Sequence, residues 1–206
     1  GKTRVLTSRI AYLIMEKNVR PENIIAITFT NKAAGEMKER LEKLTDISGM
    51  WVSTIHSMCV KILRADIDKI GFDRNFTIYD DTDKDKVLKR IFEEKGLDAD
   101  KFLKTVKSHI ANAKNECLTP EEYKLENADI RFIDEICDVY KAYEDKLAKS
   151  NCLDFDDLLY KTYVLFCEHP EVADYYANKF WYIHVDEFQD TNKVQFAIIQ
   201  RLSLKH

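Results

Sequence analysis

The chain has 206 residues, 45% hydrophobic and 33% charged, the make-up of an ordinary globular chain able to bury one or two cores. Its formal net charge of −4 excludes a global basic footprint, so any nucleic-acid contact has to come from local groups. No run of eighteen apolar residues and no basic-then-apolar leader occurs, which argues against membrane insertion and export and makes the cytosol the expected compartment. Five widely spaced cysteines, Cys59, Cys117, Cys137, Cys152 and Cys167, contain no C-x-x-C pair and read as reduced thiols, not as a disulfide framework or a zinc site.

In chain order, residues 4 to 17 place Val5, Leu6, Ile10, Leu13 and Ile14 on one helical face. Ile24 to Phe29 is a short β-branched run of the kind buried on both faces of a parallel sheet. Thr30 and Asn31 then cap a helix that ends near Thr45, and WVSTIH supplies a second strand, with Ser53 or Thr54 placed to cap the next helix. From Ser57 to Lys179 the pattern is helical throughout, FTIY at 76 to 79 being the one weak strand candidate; Gly71, Gly96, Pro120 and Pro170 mark turns between helices. WYIHVDEFQ gives a last strand, and Asn192 to Leu202 a closing helix. The expectation is an α/β parallel sheet with flanking helices, formed by residues 1–56 and 180–206 and interrupted by an all-helical insertion, 57–179.

Two short motifs carry chemistry. Gly1-Lys2-Thr3, directly before a helix, matches the last third of the phosphate-binding loop G-x-x-x-x-G-K-[ST], in which helix N-terminal amides face phosphates, the lysine reaches the β- and γ-phosphates and the threonine hydroxyl ligates Mg2+. Alone, that tripeptide is common. Asp186 and Glu187 follow an apolar strand, where an open parallel sheet places its ligand. One carboxylate there suits a magnesium ion bridging phosphates and the other suits the attacking water. Asp154, Asp156 and Asp157 in LDFDDLL read as a helix cap with first-turn acids, not as a metal cluster. Lys101, Lys104, Lys107 and Lys114 recur at helical spacing and make either a basic stripe toward phosphates or a solvated face.

GKTRVL, ITFTNKAAGEMKERL, STIHSMCVKILR, LDFDDLL and VDEFQDTNKVQ, in this order and spacing, resemble the motifs of UvrD/PcrA/Rep-type superfamily 1 DNA helicases over the whole chain, and similarity to the PcrA branch continues through the helical middle. The resemblance implies a RecA-like phosphate-loop fold and ATP-driven 3′ to 5′ translocation on single-stranded DNA, with unwinding at single-strand/duplex junctions by a complete enzyme acting in repair or replication. It implies Gly1, Lys2 and Thr3 on the phosphates, Arg4 on the adenosine side, Thr3 and Asp186 on Mg2+, Glu187 on water and Gln189 near the γ-phosphate. It assigns Phe29, Thr30 and Asn31, then Thr54 and His56, to single-stranded DNA, with Ile55 standing where relatives usually carry phenylalanine. The remaining motor domain is an expected partner in the same polypeptide, and the chain alone is expected to be inactive. An isolated nucleotide- or DNA-binding module is the alternative; a phosphate-loop kinase is a poorer one, since it leaves ITFTNKAA and STIHSMC unexplained.

Overall fold

The computed structural model describes residues 1–206. Three strands, β1 (Ile24–Thr28), β2 (Trp51–Thr54) and β5 (Tyr182–Val185), form a parallel sheet in the order β2-β1-β5. β1 lies in the middle and is buried along its whole length, which is why its five residues are Ile, Ala and a single Thr with no alternation. Register is set by Thr28 opposite Thr54 and Ile27 opposite Val185, so all three strands end together on one edge.

The helices α1 (Lys2–Met15) and α2 (Asn31–Glu42) cover one face, where Ile10, Leu13, Met37 and Leu41 pack on Ile24 and Ala26. The other face carries α3 (Ile55–Asp66), α8 (Phe155–Glu168), α9 (Pro170–Lys179) and α10 (Lys193–Leu202), whose buried residues join Ile25 and Ile27 in one apolar cluster of 22 residues. A second cluster of 16 buried residues is built almost wholly by α4 (Asp81–Lys95), α5 (Ala99–Asn115), α6 (Pro120–Glu126) and α7 (Ile133–Lys149).

Two features differ from the sequence expectation. The middle stretch is not all helical: β3 (Thr77–Tyr79) and β4 (Cys152–Asp154) pair in parallel, Thr77 opposite Cys152. Each is three residues long, too short for periodicity to register, and only the long-range pairing makes them strands. The core side chains also divide the chain elsewhere than at 57 and 179. α3, α8 and α9 bury Met58, Ile62, Leu158, Phe166 and Val172 against the sheet, leaving the separately packed helical body to residues between β3 and β4. All five cysteines are free; burial pushes the Cys59 thiol up to about 12. No helix is long and apolar enough to cross a membrane.

Candidate functional site

The nucleotide side is built from two chain turns at the carboxyl edge of the sheet. α1 begins at Lys2 with Gly1 at its cap and no side chain bonded to its first amides; only Arg4 N–H is taken early, by Gly1 carbonyl oxygen at 3.1 Å. The first-turn donors of a helix have no internal partner, and here they stay open to an anion. α1 is ~21 Å long at 1.5 Å per residue, and residues 16–23, which include a 3-10 turn at Pro21–Asn23, lead from its C-terminus back to the start of β1. Its N-terminus is thereby carried to the strands' carboxyl ends. His184 is the one buried residue of β5; burial first and the charge of Arg9 second push its imidazole down to about 4.

Two residues past His184 comes Asp186, whose N–H still bonds Ile27 carbonyl oxygen at 3.0 Å as a last rung of the sheet. Glu187 then adopts the left-handed region, φ 55 and ψ 42, and turns the chain sharply into a short 3-10 turn, Phe188–Asp190. A non-glycine residue held there is strained by about 1–2 kcal/mol. Glu187 accepts a hydrogen bond from Gln189 Nε2. Lys2, Arg4 and Glu187 are exposed and Asp186 half-buried, and none of the four enters an ion pair, unlike Lys107, Lys114 and Glu144 of the helical body. Open amides, one lysine and two carboxylates outside any ion pair suit a magnesium-bound polyphosphate by charge and by donor type.

The other half of the same edge holds the nucleic-acid candidates. Because Thr28 and Thr54 are neighbours in register, the turns following β1 and β2 lie side by side. Thr30 caps α2, accepting from Ala33 N–H at 3.1 Å, and Thr30 and Asn31 are exposed. Phe29 is half-buried, one side of it packed on the large apolar cluster. Thr54 is buried, and its hydroxyl is consumed by the cap of α3, accepting from Ser57 N–H at 3.1 Å and donating to Ser57 Oγ at 2.9 Å. It supports the turn and offers no free group. Ile55 is fully buried. His56 is half-buried, is held neutral by burial, and lies flat on Phe155, ring centroids 4.1 Å apart and planes 15° off parallel. Phe155 is 58% exposed, so the pair ends in an open aromatic face beside the strand ends. Next to it a hollow of about 490 Å³ is lined by Asp80, Asp81 and Asp156 against the single Lys84, a lining that repels phosphates and leaves the ring to bases.

LDFDDLL turns out to be an ion cluster. Asp154 caps α8 in a capping box: Asp154 Oδ1 accepts from Asp157 N–H at 2.8 Å, and Asp157 Oδ2 accepts from Asp154 N–H at 3.0 Å. Lys114, wholly buried, sets its Nζ 3.0 Å from Asp154, 2.9 Å from Asp157 and 2.7 Å from Glu144. No group of three or more His, Cys, Asp or Glu side chains is arranged to hold a metal ion by itself. The basic stripe dissolves with the same observation. Lys114 points inward, Lys107 is tied to Asp81 and Asp85 at 2.9 and 2.6 Å, and Lys101 pairs with Asp98 at 3.4 Å. Along α5 the four lysines part company: Lys101 and Lys104 stay exposed to solvent, Lys107 is half-buried and Lys114 is wholly buried.

Over residues 1–206 the chain matches the family model of the UvrD/REP helicase N-terminal domain. The chain belongs to this family. It is 52% identical over 98% of its length to the ATP-dependent DNA helicase PcrA of Bacillus subtilis (strain 168), and 50% identical over 100% of its length to PcrA of Staphylococcus aureus (strain Mu50 / ATCC 700699). PcrA of Staphylococcus epidermidis is also 50% identical over the whole chain. The chain spans 28% of the length of these curated relatives.

Within this UvrD/REP domain, sequence reading missed two residues. Phe155 was hidden behind three aspartates that drew attention to metal chemistry; its one visible signal was an aromatic directly after a capping aspartate, the position where a side chain leaves a helix start. Lys114 carried no local signal, since its partners lie 30 to 43 positions away.

Proposed function

We propose that the chain is the N-terminal ATP-binding part of an ATP-dependent DNA helicase that moves 3′ to 5′ along single-stranded DNA and unwinds duplex at single-strand/duplex junctions. Its partners are DNA and the remaining helicase domains of the same polypeptide. One observation supports this most: a single sheet edge carries the open α1 N-terminus with Asp186 and Glu187 on one half, and the Phe29–Asn31 turn with the His56–Phe155 pair on the other.

In this reading Gly1, Lys2 and Thr3 bind the β- and γ-phosphates through amides and an ammonium, while Arg4 lies toward the adenosine. Thr3 and Asp186 are the ligands for Mg2+, which when bound neutralises charge on the phosphate oxygens. Glu187, turned out by its left-handed backbone, takes a proton from the attacking water, and Gln189 holds its carboxylate. Phe29, Thr30, Asn31, His56 and Phe155 contact the strand, chiefly by stacking, which tolerates any base; Thr54 acts through the cap beneath them. The ATP-binding core comprises the sheet with α1, α2, α3, α8, α9 and α10, and the insertion is the α4–α7 body.

In the full-length polypeptide, Lys2→Ala is expected to lose nucleotide binding together with turnover. Glu187→Gln is expected to keep Mg-ATP binding and lose roughly two to four orders of magnitude in turnover, the range a positioned general base supplies. Unchanged hydrolysis in Glu187→Gln would overturn the assignment. The module reading is separated by assaying the 206-residue chain with saturating single-stranded DNA and Mg-ATP. Negligible turnover is expected, because one half of a two-domain cleft cannot close around the phosphates.

A further inference from the structure

The base of α8 is held in an unusual way. Asp154 and Asp157 each spend one carboxylate oxygen on the capping box and turn the other toward the same ammonium, Lys114 Nζ. Asp154 Oδ2 also accepts from Tyr143 O–H at 2.8 Å. Lys114 comes from α5 and Glu144 from α7, and Glu144 is shared with Lys161 of α8 at 3.0 Å. Three helices and β4 therefore meet at one buried cation. Between the two clamped aspartates lie Phe155 and Asp156, and Phe155 sets its ring flat on His56 of α3.

A capping box by itself sets the entry of a helix and leaves its rotation about the cap soft. A buried charge pair with every oxygen committed is stiffer, because any slippage strands a charge in a low-dielectric interior. Burial works against the charge on Lys114, but Asp154, Asp157 and Glu144 outweigh it and raise the ammonium well above its ordinary range. Burial likewise opposes ionisation of Asp154, and Lys114 with Lys84 overcomes it and holds the carboxyl low. Lys114 and Asp154 are thus charged at neutral pH, and with Asp157 and Glu144 they form the main polar joint between the helical body and the sheet's helices.

We propose that Lys114 is a positioning residue for the nucleic-acid surface: through Asp154 and Asp157 it fixes the first turn of α8 so that Phe155 lies on His56 and presents one aromatic face to a base. The proposal rests on the DNA reading above for its purpose. Its geometry can be tested without DNA, so the two stand or fall separately.

The test uses the 206-residue chain. His56 ring protons lie over the Phe155 ring and are shielded by it, and Phe155→Ala supplies the unstacked reference shift by NMR. Lys114→Met is expected to move those resonances toward the reference while helical content by circular dichroism is kept; resonances that stay at the wild-type position overturn the proposal. If Lys114→Met does not fold, Asp154→Asn takes its place, since asparagine still caps a helix but loses the charge that faces Lys114, and the same two outcomes decide. In a second arm, binding of a single-stranded oligonucleotide carrying 2-aminopurine is expected to weaken roughly tenfold in Phe155→Ala, the lower part of what one base–aromatic stack contributes. Lys114→Met should weaken it likewise, and the double variant no further than Phe155→Ala alone. A purely structural lysine would lower the unfolding midpoint and leave both the His56 shift and the affinity in place, overturning the proposal. If Phe155→Ala binds as tightly as wild type, the DNA reading falls and the His56 shift still decides the positioning.

Discussion

DEFQD at 186 to 190 and LDFDD at 153 to 157 look alike in sequence, each a knot of acids behind a short apolar run, and the fold treats them in opposite ways. Asp186 and Glu187 stand at the free end of β5 in no ion pair, and the backbone of Glu187 is held in the left-handed region. Asp154 and Asp157 are buried, and Lys114 and Lys84 stand against them as counter-ions from within the chain. An acid that carries its own counter-ion is finished as a structural part. An acid left without one at an open strand end is available to a cation brought from outside. Counter-ions supplied from elsewhere in the chain, not the acids themselves, separate the two motifs.

The contrast is sharpest in stability. Lys114→Met removes the cation from three carboxylates and should cost about 3–5 kcal/mol, the usual result of stranding buried charge. Asp186→Asn should stay within about 0.5 kcal/mol, as an unpaired, half-exposed site allows. Urea unfolding of both variants checks this, and a large loss in Asp186→Asn would mean that the β5 acids are structural too. The second effect concerns the DNA edge. In the full-length polypeptide Phe29→Ala should remove roughly 1–3 kcal/mol of stacking and uncouple ATP turnover from movement. Translocation and ATPase both at wild-type levels would make Phe29 a plain core residue.

The smallest effect is on pH dependence. Burial, then the neighbouring Asp154, pushes the Asp157 carboxyl up to about 7 despite Lys114. The folded state therefore holds this proton more tightly than the unfolded chain does, and that stability, complete below the ordinary carboxylate range, is lost as pH rises through 7. His184, pushed down to about 4, has the opposite slope: its contribution is present above 6.5 and lost as pH falls toward 4. Thermal midpoints from pH 6.5 upward should consequently fall in the wild type and stay flatter in Asp157→Asn. Identical slopes would show that Asp157 is ionised at neutral pH like Asp186.

The strands and caps were legible because their causes are local. A β-branched run such as IIAIT has few uses outside a buried parallel strand, and Thr30, Thr54 and Asp154 cap the helices that follow them, as their side-chain chemistry prefers. The alignment of Lys2 with Asp186 came from motif order. The roles of Lys114 and Phe155 were not legible, and neither was β4; β3 showed only as the weak candidate FTIY. A three-residue strand exists only by virtue of its distant partner.

By itself, then, the sequence determined most of the elements, their caps and the two motifs proposed for phosphate, since each depends on residues within one or two turns of one another. Tertiary structure alone decided which acids and lysines cancel. It turned Lys114 from a member of a surface stripe into a buried clamp, and it set an aromatic ring from one helix start against a histidine from another. Charge and stacking act through space, and residues 40 and 99 positions apart become neighbours only when the core that holds them has closed.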